Sequence, residues 1–288
     1  MVRLSLSRTV TSHQKRKNEI ENLKIFIHIL AVILLTILTQ IGGIVWILNY
    51  GTYQLLKSEK TKTRRFLSFM IMYLIITFLI VPPIAKSIGR VALSSTKSGI
   101  LIPHNYLTPI LNRHYVKPKL KLELLEIAKS INTSKPNLKI SYLDANFPFI
   151  DGFPLLPHLS HNDGRKIDLA FYYTKNTKEG NLKPSNLGYG KFVEPLPSEV
   201  NQTQICKSKG YWHYDYSKYL TLGSRADLVF DLANTKKLVR EIVIRKKTDK
   251  LLIEPHLEIR LKLNHDKIRF HGCHAVRHDD HIHYQIKK

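Results

Sequence analysis

The stretch His278-Asp279-Asp280-His281-Ile282-His283-Tyr284-Gln285-Ile286 lies close to the C-terminus and places three imidazoles within six residues. From His281 onward its composition predicts a β-strand. Alternate residues of a strand face the same side, so we expect His281 and His283 to project together while Ile282 faces the core. His278 lies in the approach to this strand, from which it can reach the same face.

A second stretch, residues 160–169, reads Ser-His-Asn-Asp-Gly-Arg-Lys-Ile-Asp-Leu and offers an imidazole and a carboxylate seven residues apart. The β-branched and aromatic residues of segment 166–173 predict a strand that carries Asp168. His161 precedes this strand in a loop whose Asn-Asp-Gly sequence can turn it back beside Asp168. A catalytic zinc takes three protein ligands of this kind and keeps one position open for water. We therefore expect the two stretches to meet around such a metal.

The segment that leads into His161, residues 144–160, is rich in Phe, Pro and Leu. An apolar loop at this place could form one wall of a substrate cleft, although packing is the commoner role of such side chains. His158 belongs to this loop and could reach the metal, but we expect it on the surface or behind the metal ligands.

The spacing within the two stretches resembles that of a known family of zinc peptidases. His161-x-x-Gly-x-x-x-Asp168 and His278-x-x-His281-x-His283 are similar to the two motifs of the penicillin-insensitive murein endopeptidases. That family belongs to the group of lysostaphin-type enzymes, D-Ala-D-Ala carboxypeptidases and hedgehog domains. The resemblance implies that His161, Asp168 and His283 ligate zinc, and that His281 and His278 are catalytic. The carboxypeptidase branch usually carries Glu where this chain has His278, which favours the endopeptidase branch.

The roles that follow are those of a zinc hydrolase. We expect His281 to act as general base toward a zinc-activated water, and His278 to stabilise the oxyanion or protonate the leaving amine. Alternation along the strand leaves one exchange open, because His281 could be the ligand and His283 the base.

Two uncharged apolar runs, residues 25–49 and 66–85, precede this region. As helices they would measure about 37 Å and about 30 Å, enough to cross a bilayer. The first run is too long for the apolar part of a signal peptide, and no small-residue cleavage site follows it. We predict a basic, flexible tail over residues 1–24 followed by a transmembrane helical hairpin over residues 25–85. The alternative is a buried hairpin in a soluble core.

The basic segment 50–65 between the two runs would lie in the cytoplasm by the positive-inside rule, which places both the N-terminus and residues 86–288 outside. The basic N-terminal tail argues for the opposite orientation, so charge alone leaves the topology open. A peptidase of the cell wall would have its substrate outside the cytoplasm. We therefore expect a protein of the cytoplasmic membrane with its catalytic domain facing outward.

The net charge of the chain is +23, and residues 86–288 hold 34 Lys and Arg against 19 Asp and Glu. Such an excess attracts polyanions, among them anionic lipid, anionic wall polymers and nucleic acid. A nucleic-acid-binding protein would be expected to gather its basic residues in one helix or stripe with interleaved aromatics. Here the positive charge is spread along the domain, so we expect no nucleic-acid partner.

The remaining pattern indicates an α+β fold. Residues 86–118 are expected to be a linker that leads into the domain, and residues 119–288 the zinc peptidase domain. Helices are predicted over residues 119–132 and 227–247, and a strand over 138–143. We expect a small antiparallel sheet that carries the zinc site and is flanked by helices. Cys206 and Cys273 could form one disulfide in an oxidising compartment.

The function predicted from the sequence is a membrane-anchored zinc metallopeptidase that hydrolyses amide bonds in peptidoglycan peptides or cross-links. Its expected cofactor is Zn²⁺, and its expected partners are peptidoglycan or another anionic wall polymer and the lipid bilayer. One alternative is a catalytically inactive module of the same fold that binds metal and the cell wall. The other is a basic membrane protein that binds nucleic acid.

Overall fold

A computed structural model describes residues 2–55, 61–176 and 178–288. The chain divides into two compact units, one that ends at Phe78 and one that runs from Leu79 to Lys288. Lys57 and Lys60, at the centre of the predicted basic loop, lie outside the described residues.

In its described part, the first unit contains the helices α1 (Val2–Thr39), α2 (Gly42–Leu55) and α3 (Lys62–Ile75). Because α1 begins at Val2, the segment predicted as a flexible tail is helical instead. The apolar run 25–49, predicted as one spanning helix, is broken between Thr39 and Gly42. Gln40 has a φ of 67° there, a left-handed conformation that a helix interior does not accommodate.

The break lets α2 fold back along α1, and a glycine allows the close approach. A Cβ atom at Gly43 would lie 2.1 Å from Thr36 Oγ1 and 2.7 Å from the Val32 carbonyl oxygen, closer than atoms can pack. Farther from the turn, Trp46 Nε1 donates a hydrogen bond of 3.1 Å to His28 Nδ1. The two helices therefore run antiparallel.

Helix α3 in turn runs antiparallel to α2. Ser68 Oγ donates to Asn49 Oδ1 at 3.0 Å, and the Tyr53 hydroxyl donates to the Arg64 carbonyl oxygen at 3.3 Å. On the other side of α2, the rings of His28 and Tyr50 lie 4.6 Å apart. The start of α3 and the N-terminal half of α1 consequently lie toward the same end of this unit.

Two helical stretches are long and apolar enough to cross a membrane by length and composition, Gln14–Thr39 and Lys62–Ser87. Helix α2, with 14 residues, is about 21 Å long and shorter than the roughly 30 Å of a bilayer core. Two candidate spans are therefore found, as predicted, and the second contains the predicted run 66–85. The first lies nearer the N-terminus than predicted, and the short α2 stands between the two.

After α3, a π-helical turn (Ile76–Ile80) leads into α4 (Val81–Ser87), and short helices and strands follow. The further helices are α5 (Leu107–Ile110), α6 (Pro118–Ser134), α7 (Gln202–Ser208), a 3₁₀ helix (Trp212–Leu220), α8 (Leu232–Val243) and α9 (Pro255–Arg260). The strands are β1 (Val91–Ala92), β2 (Leu101–Pro103), β3 (Tyr115–Val116), β4 (Ile140–Tyr142), β5 (Lys166–Ala170), β6 (Tyr173–Lys175), β7 (Lys178–Gly180), β8 (Val229–Phe230), β9 (Thr248–Leu252), β10 (Ile268–Arg269) and β11 (His281–Ile286).

The central sheet has six strands in the order β10-β9-β11-β5-β4-β2. Strand β11 pairs antiparallel with both β5 and β9, and β4 pairs antiparallel with β5. The outer pairs β9/β10 and β2/β4 are parallel. The α+β class is confirmed. The central strands are antiparallel, as expected of a small antiparallel sheet, but the parallel outer pairs make the whole sheet mixed.

Helix α6 shows how the core forms. It begins with Pro118 at its first position, where the missing amide hydrogen costs nothing. Its apolar residues recur at helical spacing, and five of them are fully buried, Leu120, Leu124, Ile127, Ala128 and Ile131. This stripe joins one hydrophobic cluster with residues of β4, β5 and β11.

The segment expected to be a linker, residues 86–118, belongs to the second unit. Its β2 pairs with β4 through Leu101↔Ile140, and Leu101 and Val116 are buried in the main core. The compact unit therefore begins at Leu79, well before the predicted boundary at residue 119.

Candidate metal and catalytic site

Neighbouring strands place the predicted site residues on one face of the sheet. In the register of β5 and β11, His283 lies opposite Asp168, and His281 lies opposite Ala170. Ile282, between the two histidines, is fully buried in the core, as alternation predicts. The loop before β5 returns His161 to the same place, where its Nδ1 donates a 2.8 Å hydrogen bond to the Ala145 carbonyl oxygen.

Three side-chain atoms converge at this point. His161 Nε2 lies 3.0 Å from His283 Nδ1 and 3.2 Å from Asp168 Oδ1, and His283 Nδ1 lies 3.0 Å from Asp168 Oδ1. All three residues are buried. Tetrahedral zinc ligands at bond lengths of about 2.0–2.1 Å are separated from one another by about 3.3 Å. The triangle formed by these atoms is therefore close to the size that a metal requires.

His158 lies inside this site, not behind it or on the surface as expected. Its Nδ1 is 3.1 Å from Asp168 Oδ2, and its ring centroid is 5.5 Å from that of His161. His158, His161 and Asp168 form a group that could hold a metal ion. With a side chain 13 % exposed, His158 is more open to solvent than His161 or Asp168. The structure thus offers three candidate imidazole ligands around the Asp168 carboxylate.

The protonation of these groups suits a cation. Burial would raise the pKa of Asp168, but the imidazoles of His161, His281 and His158 outweigh it and hold this pKa well below its usual range. Burial lowers the pKa of His283 to about 4 and that of His158 well below its usual value. A charged carboxylate therefore faces neutral imidazoles at His158 and His283, and a charged carboxylate with neutral imidazoles is the protonation state of metal ligands.

His281 has a different environment. Its Nδ1 donates a 2.5 Å hydrogen bond to Asp280 Oδ1, and its Nε2 is buried with no hydrogen-bond partner among the described residues. That Nε2 lies 3.7 Å from Asp168 Oδ1, farther than the corresponding atoms of His161 and His283. Burial lowers the pKa of His281, but Asp280 and Asp168 outweigh this effect and raise the pKa to about 9. At neutral pH the His281 imidazole is therefore protonated on both ring nitrogens, and its Nε2 has no partner among the described residues.

His278 is fixed at the edge of the same site by a second carboxylate. Glu254 Oε1 accepts a 2.9 Å hydrogen bond from the His278 backbone N–H, and the Tyr214 hydroxyl donates to both oxygens of Glu254. The His278 ring centroid lies 5.0 Å from that of His281. Burial lowers the pKa of His278 well below its usual value, so its imidazole is neutral.

Behind Asp168 lies a group of polar residues that the sequence analysis did not identify. The Tyr189 hydroxyl donates to Asp168 Oδ2 at 3.0 Å and lies 3.3 Å from Asp144 Oδ2. Arg113 pairs with Asp144 through two contacts of 2.9 Å. Arg113 and Asp144 precede Asp168 by 55 and 24 positions, and Tyr189 follows it by 21, so no local motif marks them. Asp280, by contrast, stands inside the quoted C-terminal stretch and could have been selected as the partner of His281.

Cys206 and Cys273 form a disulfide, one of the possibilities that the sequence allowed. The Cys206–Cys273 disulfide links α7 to the segment that leads into His278. It closes a connection of 67 residues around the polar cluster of Tyr214 and Glu254.

Comparison with models of known protein families gives no match to this chain, and comparison with curated proteins gives none either.

Proposed function

We propose that this protein is a membrane-anchored zinc peptidase that hydrolyses amide bonds in peptidoglycan peptides. The observation that carries the proposal is the convergence of His161 Nε2, Asp168 Oδ1 and His283 Nδ1 within 3.2 Å, beside an unpartnered His281 Nε2. A metal site built only for structure closes its coordination sphere with protein ligands and needs no basic group beside it. The pairing of ligands with a basic group supports catalysis.

In this proposal His161, Asp168 and His283 hold the zinc ion, with His158 as a further candidate ligand. Two imidazoles and one carboxylate form a donor set that zinc accepts in hydrolases. A zinc ion bound there supplies a Lewis acid that lowers the pKa of a water molecule and polarises a carbonyl group. The remaining chemistry belongs to residues of the chain.

His281 is the proposed general base. A cation held by Asp168 would offset part of the negative charge that raises the pKa of His281. The neutral imidazole, with its Nδ1–H bonded to Asp280, would then carry its lone pair on Nε2 and accept a proton there from the attacking water. As the amide C–N bond breaks, the same proton passes to the leaving nitrogen, so one water is consumed and no other reactant is needed. Neutral His278, 5.0 Å from His281 between ring centroids, is placed to donate a hydrogen bond to the developing oxyanion.

The helices of the first unit support an outward-facing catalytic domain. The basic N-terminal half of α1 and the basic start of α3, with Lys62, Arg64 and Arg65, lie toward one end of this unit, because α2 runs antiparallel to both helices. The positive-inside rule then assigns both basic segments to the cytoplasm, and they no longer conflict. Helix α3 leads away from that end, which is the direction expected of a helix that crosses from the cytoplasm to the outer side.

The proposed substrate rests on the resemblance of the two motifs and on charge. Peptidoglycan and its attached polymers lie outside the membrane and carry anionic groups, and residues 86–288 hold an excess of 15 positive charges over negative ones. The anionic wall is therefore a partner with which the charge of this domain is compatible.

The test is digestion of purified peptidoglycan by the full-length protein in detergent, with products identified by mass spectrometry. The zinc-loaded protein is expected to release peptides with new amino and carboxyl termini, and a chelator is expected to stop this release until zinc is restored. His161→Ala should abolish it, whereas His213→Ala, a histidine outside the site, should not. Wall binding without any product would instead support the inactive binding module, and cleavage that survives complete zinc removal would refute the metallopeptidase.

A further inference from the structure

A cavity of about 220 Å³ adjoins the proposed active site. His158 and Tyr189 line it, and the nearest atoms of these two side chains lie 3.1 and 3.0 Å from Asp168 Oδ2. The cavity is smaller than the roughly 300 Å³ at which pockets for whole small-molecule ligands begin. It therefore suits one chemical group of a larger substrate that is held at the metal site.

The lining of the cavity favours an uncharged group. Arg113 and Asp144, which both belong to the lining, neutralise each other through two contacts of 2.9 Å. Transfer of a charged group into a largely apolar space without a free partner would be costly. The apolar part of the lining includes Leu107, Leu111, Leu187 and Val276.

Two polar side chains of the lining have hydrogen-bonding groups to offer. Ser217 Oγ is buried and has no hydrogen-bond partner among the described residues. Asn105 Oδ1 accepts the Thr108 backbone N–H at 3.1 Å, which leaves the Asn105 NH₂ group as a donor. A hydroxyl can accept from an N–H, and an NH₂ group can donate to a C=O. An acetamido group, with its N–H, its C=O and its methyl, matches these partners and the apolar walls.

An aromatic stripe, Tyr216 and Tyr219, leads from the cavity to the surface. Tyr216 lines the cavity, and Tyr219 follows three residues later on the same 3₁₀ helix, beyond its kink at Asp215. Side chains three residues apart on such a helix lie on the same side. Tyr219 is 77 % exposed, and Lys218 Nζ lies 5.0 Å from the centre of its ring, so one ring face is open. Aromatic faces attract positively polarised hydrogens, which sugar rings present on their C–H faces.

The helix that carries this stripe is fixed against the active site. The Tyr214 hydroxyl donates to both oxygens of Glu254, the carboxylate that binds the His278 backbone N–H. A Cβ atom at Gly190 would lie 2.8 Å from the Ser217 carbonyl oxygen, so the residue after Tyr189 also packs closely against this helix. The stripe is therefore continuous with the substrate site and is not an isolated surface patch.

We propose that the cavity and the stripe form a subsite for an N-acetylated amino sugar, with the acetamido group in the cavity and the sugar ring against Tyr219. The glycan strands of peptidoglycan consist of such sugars, and the stem peptides are attached to them. The inference rests on the proposed function and narrows its substrates to stems that are still joined to their sugar. Because the cavity shares His158 and Tyr189 with the site, the amide that is cut lies in the part of the stem nearest the glycan strand.

Binding is tested on the full-length protein in detergent by saturation-transfer NMR, which needs no turnover. The probes are the dimer of N-acetylglucosamine and the same dimer without acetyl groups, and only the acetylated dimer should bind. In Ser217→Ala its Kd should rise by about threefold to tenfold, the worth of one hydrogen bond. This variant should keep its melting temperature, because the hydroxyl that it loses has no partner among the described residues. Ser208→Ala, which removes an exposed hydroxyl of α7, is the matched control and should keep the wild-type Kd.

Activity is tested on two stem peptides that contain the same amides. One carries N-acetylmuramic acid at its amino end, and the other carries only the lactyl group of that sugar. The kcat/KM of the sugar-bearing peptide should be higher by at least about tenfold, the effect of about 1.4 kcal/mol of extra binding. Leu107→Trp and Tyr219→Ala, both at exposed positions, should reduce this ratio while the lactyl peptide is cut at the wild-type rate. Leu122→Trp, at an exposed position of α6, should leave the ratio unchanged.

The outcomes separate the subsite from the chemistry. If both peptides are cut equally well, or if Leu107→Trp and Tyr219→Ala keep the ratio, the subsite is wrong while the peptidase stands. If N-acetyl-D-alaninamide binds more tightly than the acetylated dimer and loses affinity in Ser217→Ala, the cavity takes peptide and the sugar subsite is wrong. If the acetylated dimer binds and Ser217→Ala weakens it, yet neither peptide is cut, the subsite stands and the peptidase is wrong.

Discussion

Asp280 is the residue whose replacement tests the proposed chemistry most directly. Its Oδ1 accepts the Nδ1–H of His281 at 2.5 Å, while its Oδ2 accepts the Gly190 backbone N–H at 2.6 Å. In Asp280→Asn, the amide oxygen can keep the bond to Gly190, which directs the NH₂ group toward His281. An NH₂ group cannot accept a hydrogen bond. The His281 ring must then carry its proton on Nε2, the atom that should accept one.

The expected size of the effect follows from this change of tautomer. A wrongly protonated general base loses its proton-transfer contribution, which is typically between a hundredfold and ten-thousandfold. We expect kcat of Asp280→Asn to fall by roughly that range. Zinc binding should persist, because the three converging atoms of His161, Asp168 and His283 make no contact with Asp280 among the contacts of the described residues.

The assay combines zinc analysis of the purified full-length protein with initial rates on peptidoglycan fragments. Asp249→Asn is the control, because Asp249 accepts a hydrogen bond from Gln285 on β11 and lies outside the site. The control should keep both zinc and activity. Activity of Asp280→Asn within about threefold of wild type would refute the proposed orientation of His281. A parallel loss of zinc and activity would show that Asp280 supports the metal and not the base.

Three further outcomes are expected. His283→Ala should lose most of its zinc and His281→Ala should keep it, because His283 contributes one of the three converging atoms. Metal analysis of both purified proteins tests this, and the opposite result would make His281 the ligand and His283 the base. Gly43→Leu should lower the melting temperature of the full-length protein in detergent, because its side chain meets α1, whereas Gly51→Leu, with open space around the Cβ position, should not. Burial lowers the pKa of His114 to about 3, so the unfolded chain takes up this proton first as the pH falls. His114 alone should contribute a decrease in stability of about 2 kcal/mol between about pH 7 and pH 5. Denaturant titration should find that the total decrease over this range is smaller by about that amount in His114→Gln.

The face of the sheet that carries the site could be predicted because strand alternation is a local property. His281 and His283 on one side of β11, with Ile282 buried on the other, follow directly from the period of two. Asp168 on the neighbouring strand followed from strand composition. The register that sets His283 opposite Asp168 could not be read locally, since it depends on pairing between residues 115 positions apart.

The apolar run 25–49 shows the opposite case. Hydropathy shows only that a segment avoids water. One spanning helix and two shorter helices packed together can have the same hydropathy. The break depends on the backbone of Gln40 and on the close contact at Gly43, which are packing effects between helices. Residues 86–118 were expected to be a linker because β1 and β2, with two and three residues, are too short to produce the alternating hydrophobic pattern of a strand.

The free energy cost of the site is itself an argument for function. Asp168 is completely buried among His158, His161, His281 and His283, and a buried carboxylate or imidazole loses hydration that only full pairing can replace. His281 Nε2 remains unpaired among the described residues, and a buried group left in this state costs about 1–3 kcal/mol. Apolar side chains of similar volume would make a more stable sheet at this position. A scaffold without chemistry would have no need of this arrangement, whereas a cation between His161, Asp168 and His283, with a substrate beside His281, would satisfy each of these groups.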